Sequence, residues 1–265
     1  MAHKFLKEIL IGKKKSLHGI DIKEDLRLDA CRGFLGNMDR DRVNIIAEIK
    51  KASPSRGIIN ADLDIEYTAS TYGRFPGFIS GISVLTEEIY FKGDGSDVKK
   101  AKKGTTLPIL RKDFIFSQKQ VYESAVLGAD CILLIKSLLG LGKLKRLYEY
   151  AGEIGLDVLV ETHHREEFLK ILDMGAGLIG INNRDLKEMK VDSGHIISVL
   201  EDVPRDMIED RTIVCESGVG DIQYMERLCG MGVNNFLIGT HFMSSPMLGE
   251  TLSRLGFGLK ERGLA

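Results

Sequence analysis

The chain has 265 residues, 43% of them hydrophobic, with a formal net charge of −1. This apolar content is enough to bury a large core, and the near-neutral charge argues against a nucleic-acid surface, which needs a strong basic excess. No apolar run approaches the roughly 20 residues needed to span a bilayer, so neither a membrane nor a polyanion is expected as a partner, whereas a small anionic ligand requires only local positive charge.

The first 42 residues stand outside any repeating pattern. Phe5, Leu6, Ile9 and Leu10 have helical spacing, and residues 21–31 allow a second short helix. Such a segment can cap one end of the fold or pack on its side; the alternative is that it helps cover a site. Lys4, Lys7 and Glu8 interrupt the apolar stretch and no small-residue cleavage site follows, so no secretory signal is expected. Cys31, Cys131, Cys215 and Cys229 show no C-x-x-C spacing, which fits a reducing, cytoplasmic setting. Cys131 and Cys215 lie in apolar runs, where a thiol acts as a small hydrophobe.

Beyond residue 42 one theme repeats. A short β-branched run ends on a polar residue, a Gly-, Ser- or charge-rich loop follows, and a helical pattern leads to the next run. There are eight such runs: 43–49, 78–85, 107–112, 130–135, 157–161, 178–182, 212–216 and 235–239. Runs apolar on both faces suit a parallel sheet covered by helices. Eight strand–helix units in about 220 residues predict an α/β fold, a closed (β/α)8 TIM barrel. An open doubly wound sheet would use fewer strands and a glycine-rich loop after the first one, and no G-x-G-x-x-G follows a strand here. Gly128-Ala129, Gly175-Ala176 and Gly232-Val233 each end a helical pattern, where glycine takes the left-handed conformation that terminates a helix. The expectation is one barrel domain over 1–265, with 1–42 as an N-terminal helical extension and 43–250 as the barrel.

In such a barrel chemistry sits at the C-terminal ends of the strands. The runs end on Glu48 and Lys50, Lys112, Glu161, Asn182 and Arg184, Glu216 and Ser217, and Gly239 and Thr240. Side chains alternate across a strand, so Glu48 shares a face with Lys50, and Asn182 with Arg184. One charged strand end is an ordinary solvated boundary residue. Acids and bases at so many ends make a confined acid–base pocket, whose charges must pair with one another because isolated burial is costly. Ser217-Gly218 and Gly239-Thr240 stand where barrels commonly hold phosphate, and 240–245 can start a short helix whose N-terminus favours an anion; plain turn glycines are the competing reading. Residues 53–57, Ser-Pro-Ser-Arg-Gly, read equally as a lid or a flexible surface loop.

At these residues the chain resembles indole-3-glycerol phosphate synthases. The matching blocks are IIAEIKKASPS (45–55), ISVLTEEIYFKG (82–93), LPILRKDFI (107–115), GADCILLI (128–135), LVETH (159–163), IGINNRDL (179–186), ESGV (216–219) and FLIGTHFM (236–243). The resemblance implies conversion of 1-(2-carboxyphenylamino)-1-deoxyribulose 5-phosphate to indole-3-glycerol phosphate with loss of CO2 and water, using no cofactor and no metal. It implies Lys112 as general acid and Glu161 as its acid/base partner, with Lys50 in proton transfer and Glu48 holding the lysines. Asn182 would orient Glu161, while Glu216 and Ser217 would bind sugar hydroxyls. Ser53, Gly218, Gly239 and Thr240 would hold the phosphate, with Arg184 nearby, and Phe91 and Phe114 would wall the anthranilate ring. Two departures from the family pattern stand out: Gly239-Thr240 replaces the usual glycine-serine pair, and residues 74–78 before the second run are less small than expected.

The nearest alternative, phosphoribosylanthranilate isomerase, would use a cysteine and an aspartate at strand ends, but Cys215 next to Glu216 should face away from the mouth. A non-catalytic phosphate-binding barrel would not need the whole acid–base set. The histidines show no metal-ligand spacing, since His163 and His164 are adjacent and point apart. Neutral net charge is consistent with a monomer.

Overall fold

The computed structural model describes residues 8–13, 31–185 and 188–265. β1 (Asn44–Ile49) leads into a small antiparallel hairpin, β2 (Ala52–Ser53) and β3 (Gly57–Ile58). Strands and helices then alternate: α1 (Ile65–Gly73), β4 (Ile79–Leu85), α2 (Ser96–Gly104), β5 (Ile109–Lys112), α3 (Gln118–Val126), β6 (Cys131–Ile135) and α4 (Leu141–Glu153). They continue as β7 (Asp157–Thr162), α5 (Arg165–Met174), β8 (Leu178–Asn182), α6 (His195–Leu200), β9 (Thr212–Glu216), α7 (Ile222–Cys229), β10 (Asn235–Ile238), α8 (Thr240–Met243) and α9 (Leu248–Glu261). Eight of the strands close into a parallel barrel in the order β1-β10-β9-β8-β7-β6-β5-β4.

The eight apolar runs become the eight barrel strands with small changes at their ends. β5 starts at Ile109 because Pro108 has no N–H to add to the ladder. Gly239 leaves β10 and instead precedes α8, the short helix expected after the eighth run. Helices start where the sequence supplies a cap: Asp64, Ser117 and Asp221 accept hydrogen bonds from Tyr67 N, Gln120 N and Tyr224 N. Gly128, Gly175 and Gly232 are left-handed, with φ of 87°, 85° and 88°, so each αβ turn has the helix-ending glycine its sequence called for.

Alternation divides the strand side chains into two shells. Ile45, Ala47, Ile109, Val160, Ile179 and Cys215 face the helices, whereas Ile46, Leu110, Leu133, Leu159, Leu178, Val214 and Leu237 fill the barrel interior. The barrel is thus a packed core, and polar residues that continue the inward rows toward the strand C-termini emerge at the rim there, as Asn44 and Asp157 do at the opposite end.

Residues 31–38 plug the opposite end. Phe34 is fully buried in the interior cluster, and a Cβ at Gly81 would lie 2.7 Å from its ring, so that glycine makes room for the plug. Leu35 N donates to Asp157 (2.8 Å) and Arg32 N to Asp130 (2.7 Å), and Asp130 also accepts from Ile109 N (2.8 Å) and Lys102 Nζ. Residues 8–13 are helical and lie at the other rim: Lys13 pairs with Asp113 at 2.8 Å, Tyr90 OH donates to Glu8, and Ile9 is buried in the cluster that holds Phe114. Of residues 1–42, the described ones thus touch both ends: 31–38 at the plugged end and 8–13 beside the C-terminal rim. Phe5, Leu6 and the helix expected over 21–31 lie outside the described residues, apart from Cys31.

Candidate active site

Inward alternation carries Glu48, Lys112, Glu161, Asn182 and Glu216 to the C-terminal rim, each at or beside the end of a different strand. There they surround a cavity of about 730 Å³. Its lining includes Glu48, Lys50, Lys112, Glu161, Asn182, Arg184, Ser217, Gly218, Gly239 and Thr240, with Phe91, Phe114, Leu133 and Ile135 as its apolar side. Among the residues singled out in the sequence, Glu216 and Ser53 do not line it. Glu216 is fully buried beneath Lys112 and acts on the cavity through that ammonium. Ser53 lies in the β2–β3 hairpin opposite Gly57, with its hydroxyl buried and without a partner among the described residues.

The charges form one chain. Lys50 Nζ donates to Glu48 Oε1 at 2.7 Å; Lys112 Nζ lies 3.4 Å from Glu48 Oε2 and 2.9 Å from Glu216 Oε2. Burial alone would raise the Glu48 pKa, but the ammonium groups of Lys50 and Lys112 lower it to about 2. Burial works against the Lys112 charge, yet Glu216, Glu48 and Glu161 together hold its pKa well above the ordinary lysine value. Burial pushes Glu216 up to about 7, with Lys112 opposing and Glu161 reinforcing the rise. Burial likewise raises Glu161, although Lys112 and the Asn182 amide favour its charged form. Two ammonium groups, Lys50 and Lys112, cannot neutralise three carboxylates, and Glu161 and Glu216, both raised by burial, are the pair that shares the excess charge.

Two glycines make room for this chain. A Cβ at Gly180 would lie 2.1 Å from Glu216 Oε1, and one at Gly239 would lie 2.3 Å from Glu48 Oε1. Gly239, read in the sequence for phosphate alone, thus also seats a carboxylate, and Gly180 carried no signal beyond being small in an apolar run. Asn183, inside the GINNRDL motif, is a second residue whose task only the structure shows. Its Nδ2 donates to Ser217 O at 3.1 Å and its Oδ1 accepts from Ile196 N at 2.9 Å. This brace holds Ser217 at φ 65° next to Gly218 at φ 74°; left-handed backbone at a residue with a side chain costs of order 1–3 kcal/mol and is typical of ligand-binding turns.

Positive charge collects on the same side. Arg184 lines the cavity and donates from Nη1 to Met189 O at 2.9 Å. Arg56, within the loop read as lid or surface, also lines it and reaches Ser244 Oγ at 3.2 Å, which ties the hairpin to the segment after α8. Two guanidinium groups, the 217–218 turn and the N-terminus of α8 together make an anion-favouring wall. No group of three or more His, Cys, Asp or Glu side chains arranged for a metal ion occurs among the described residues.

A closed (β/α)8 barrel with an acid–base cluster and an anion-favouring wall at its C-terminal mouth defines an enzyme that acts on small anionic molecules. A family model described as indole-3-glycerol phosphate synthase matches residues 7–255. The chain belongs to the indole-3-glycerol phosphate synthase family, carboxy-lyases of tryptophan biosynthesis. It is 42% identical over 245 residues to the indole-3-glycerol phosphate synthase of Thermoanaerobacter pseudethanolicus, covering 90% of this chain and 92% of the relative. It is 44% identical over 235 residues to that of Caldanaerobacter subterraneus subsp. tengcongensis, covering 88% of each. Among solved structures, KGPDC from Streptococcus mutans superposes with a TM-score of 0.60 at 14% identity, covering 84% of this chain and 100% of that one. Thiamine phosphate pyrophosphorylase from Pyrococcus furiosus gives a TM-score of 0.57 at 15% identity, covering 85% and 99%. These two share the barrel fold.

Proposed function

We propose that this cavity closes the pyrrole ring of indole-3-glycerol phosphate, with Lys112 as general acid and Glu161 as its acid/base partner. The observation that carries the reading is the Lys112 ammonium, fixed between Glu216 and Glu48 at the floor of a cavity with an aromatic side and a cationic side.

The substrate is 1-(2-carboxyphenylamino)-1-deoxyribulose 5-phosphate. The ring carbon bearing the carboxylate attacks the ribulosyl carbonyl, forming the new carbon–carbon bond. Charge grows on the carbonyl oxygen, and Lys112 supplies the proton that neutralises it. The aryl–carboxylate bond then breaks, CO2 departs and the ring regains aromaticity. Finally the hydroxyl made in the first step leaves as water with a proton from Lys112 or Glu161, while a carboxylate takes the proton from the adjacent carbon. Glu161 suits this last task because its proton affinity is raised by burial, and Asn182 would orient it. Ion pairing of the substrate carboxylate would favour the ground state over loss of CO2; Lys50 and Lys112 already have carboxylate partners, which limits that trap. Phe91 and Phe114 would receive the anthranilate ring, and Gly218, Gly239, Thr240, Arg184 and Arg56 the phosphate. Ser53 would join them only by moving its hydroxyl toward the cavity as the hairpin closes.

The isomerase alternative is disfavoured because Cys215 sits in the outer shell, with its thiol pushed up to about 12 by burial. The unpaired cysteines fit a reducing, cytoplasmic setting, and no helix among the described residues is long and apolar enough to cross a membrane. The test is indole fluorescence from the carboxyphenylamino substrate. Lys112→Ala is expected to lower kcat by about 10²–10⁴ while thermal melting stays cooperative. A near-normal rate in that variant overturns the role of Lys112, and turnover of phosphoribosylanthranilate by the unaltered protein favours the isomerase.

A further inference from the structure

His163 follows Glu161 by two residues and so returns to the inward face just beyond β7. Its ring is buried, and neither Nδ1 nor Nε2 has a hydrogen-bond partner among the described residues. Its Nε2 lies 3.6 Å from Glu161 Oε1. That oxygen is also buried and equally without a partner. Two adjacent orphaned polar atoms, a nitrogen able to donate and an oxygen able to accept, cost free energy until they meet. A closure of roughly 0.6 Å would bring them to the usual separation of about 3.0 Å.

We propose that His163 is a positioning residue for Glu161: its neutral imidazole donates Nε2–H to Glu161 Oε1 and aims the opposite carboxyl oxygen at the reacting atoms. This rests on the reading of Glu161 as acid/base, and nothing in the sequence motifs had given His163 a task. Its backbone is pinned from both sides, since His163 N donates to Glu167 Oε2 at 3.0 Å and His195 Nε2 contacts His163 O. The backbone is therefore held, and a small rotation of the ring is enough to close the remaining gap to Glu161. Burial lowers its proton affinity, which keeps it neutral and able to donate from one nitrogen only. The charged and titratable groups around it are Glu161 on β7, Glu167 on α5, Glu216 on β9, His195 on α6 and Asp185 after β8. A donor bonded to the carboxylate favours its ionised form, so His163 would keep Glu161 available as a base while Glu216 holds the proton the two acids share.

The test compares His163→Phe, His163→Leu and His163→Gln by kcat, KM and pH profile. Gln carries an amide that can reach as Nε2 does; Phe and Leu carry no donor, and reading both separates overpacking from loss of the bond. The expected result for Phe and Leu is a kcat lower by about tenfold with KM nearly unchanged, and an acidic limb of the rate profile displaced upward by about one pH unit. Gln should restore both to near the original values. Unchanged kcat and profile in Phe or Leu overturns the proposal, and so does a Gln variant that behaves like Phe. Glu161→Gln serves as the control. If it retains turnover, the acid/base reading of Glu161 itself has failed; if it is inactive while Phe and Leu at 163 are normal, only the positioning role has failed.

Discussion

Gly180 has no side chain to offer the site, yet it decides where the Glu216 carboxylate lies, because any Cβ there would overlap Oε1 at 2.1 Å. Gly180→Ala should therefore displace Glu216 from Lys112 and lower kcat by about 10²-fold, with overpacking costing about 1–3 kcal/mol of stability. Steady-state rates beside a denaturant melt check both parts. The same carboxylate sets the pH response. Folding raises Glu216 from 4.5 to about 7, so the native state binds this proton more tightly than the unfolded chain. Its stabilisation is complete below pH 4.5 and is lost as pH rises through 7. Glu48 has the opposite sign: lowered to about 2, it stabilises above pH 4.5 and ceases to do so as pH falls toward 2. Glu216→Gln should flatten the decline of melting temperature between pH 5 and 8, and an unaltered slope would contradict the assignment. The charged rim residues were legible because each interrupts the end of an apolar run. Gly180, Asn183 and His163 were not, because what they do depends on which strands stand next to them.

The strands were readable as elements because burial on both faces leaves a continuous β-branched run, and the helix ends because glycine is nearly alone in accepting a left-handed turn. The β2–β3 hairpin was not readable: two residues on each side are too few to show alternation, and residues 53–57 look like any polar loop. The floor was hidden for another reason. Phe34 stands in an irregular stretch with no periodicity, and its burial follows only from the hole left by Gly81 and the carboxylates of Asp130 and Asp157 that bind its neighbours. This element works at the end of the barrel remote from the cavity. Phe34→Ala should thus cost about 3–5 kcal/mol with kcat and KM close to unaltered in the folded fraction. A large kinetic effect at undiminished stability would show that the floor and the mouth are coupled.

Across the whole molecule, a net charge of −1 says nothing of where the charged groups gather. One rim carries the acid–base chain and two cavity-lining arginines, while the other carries the Phe34 plug and a separate cleft of about 270 Å³ with Asp39, Arg40, Arg205, Glu209 and Arg211 on its walls. Net charge could not distinguish these ends; the barrel's directionality, which puts all strand C-termini at one rim, does. At that rim, groups remote in the chain are expected to meet around one phosphorylated sugar. This is tested most directly by a crystal structure with indole-3-glycerol phosphate bound. The expected result places the phosphate about 3 Å from the backbone at Gly218 and Thr240, the indole beside Phe91 and Phe114, and Lys112 Nζ facing the carbon skeleton between them. A ligand seated in the cleft of Arg205 and Arg211, or a Lys112 side chain turned away from it, would contradict the account.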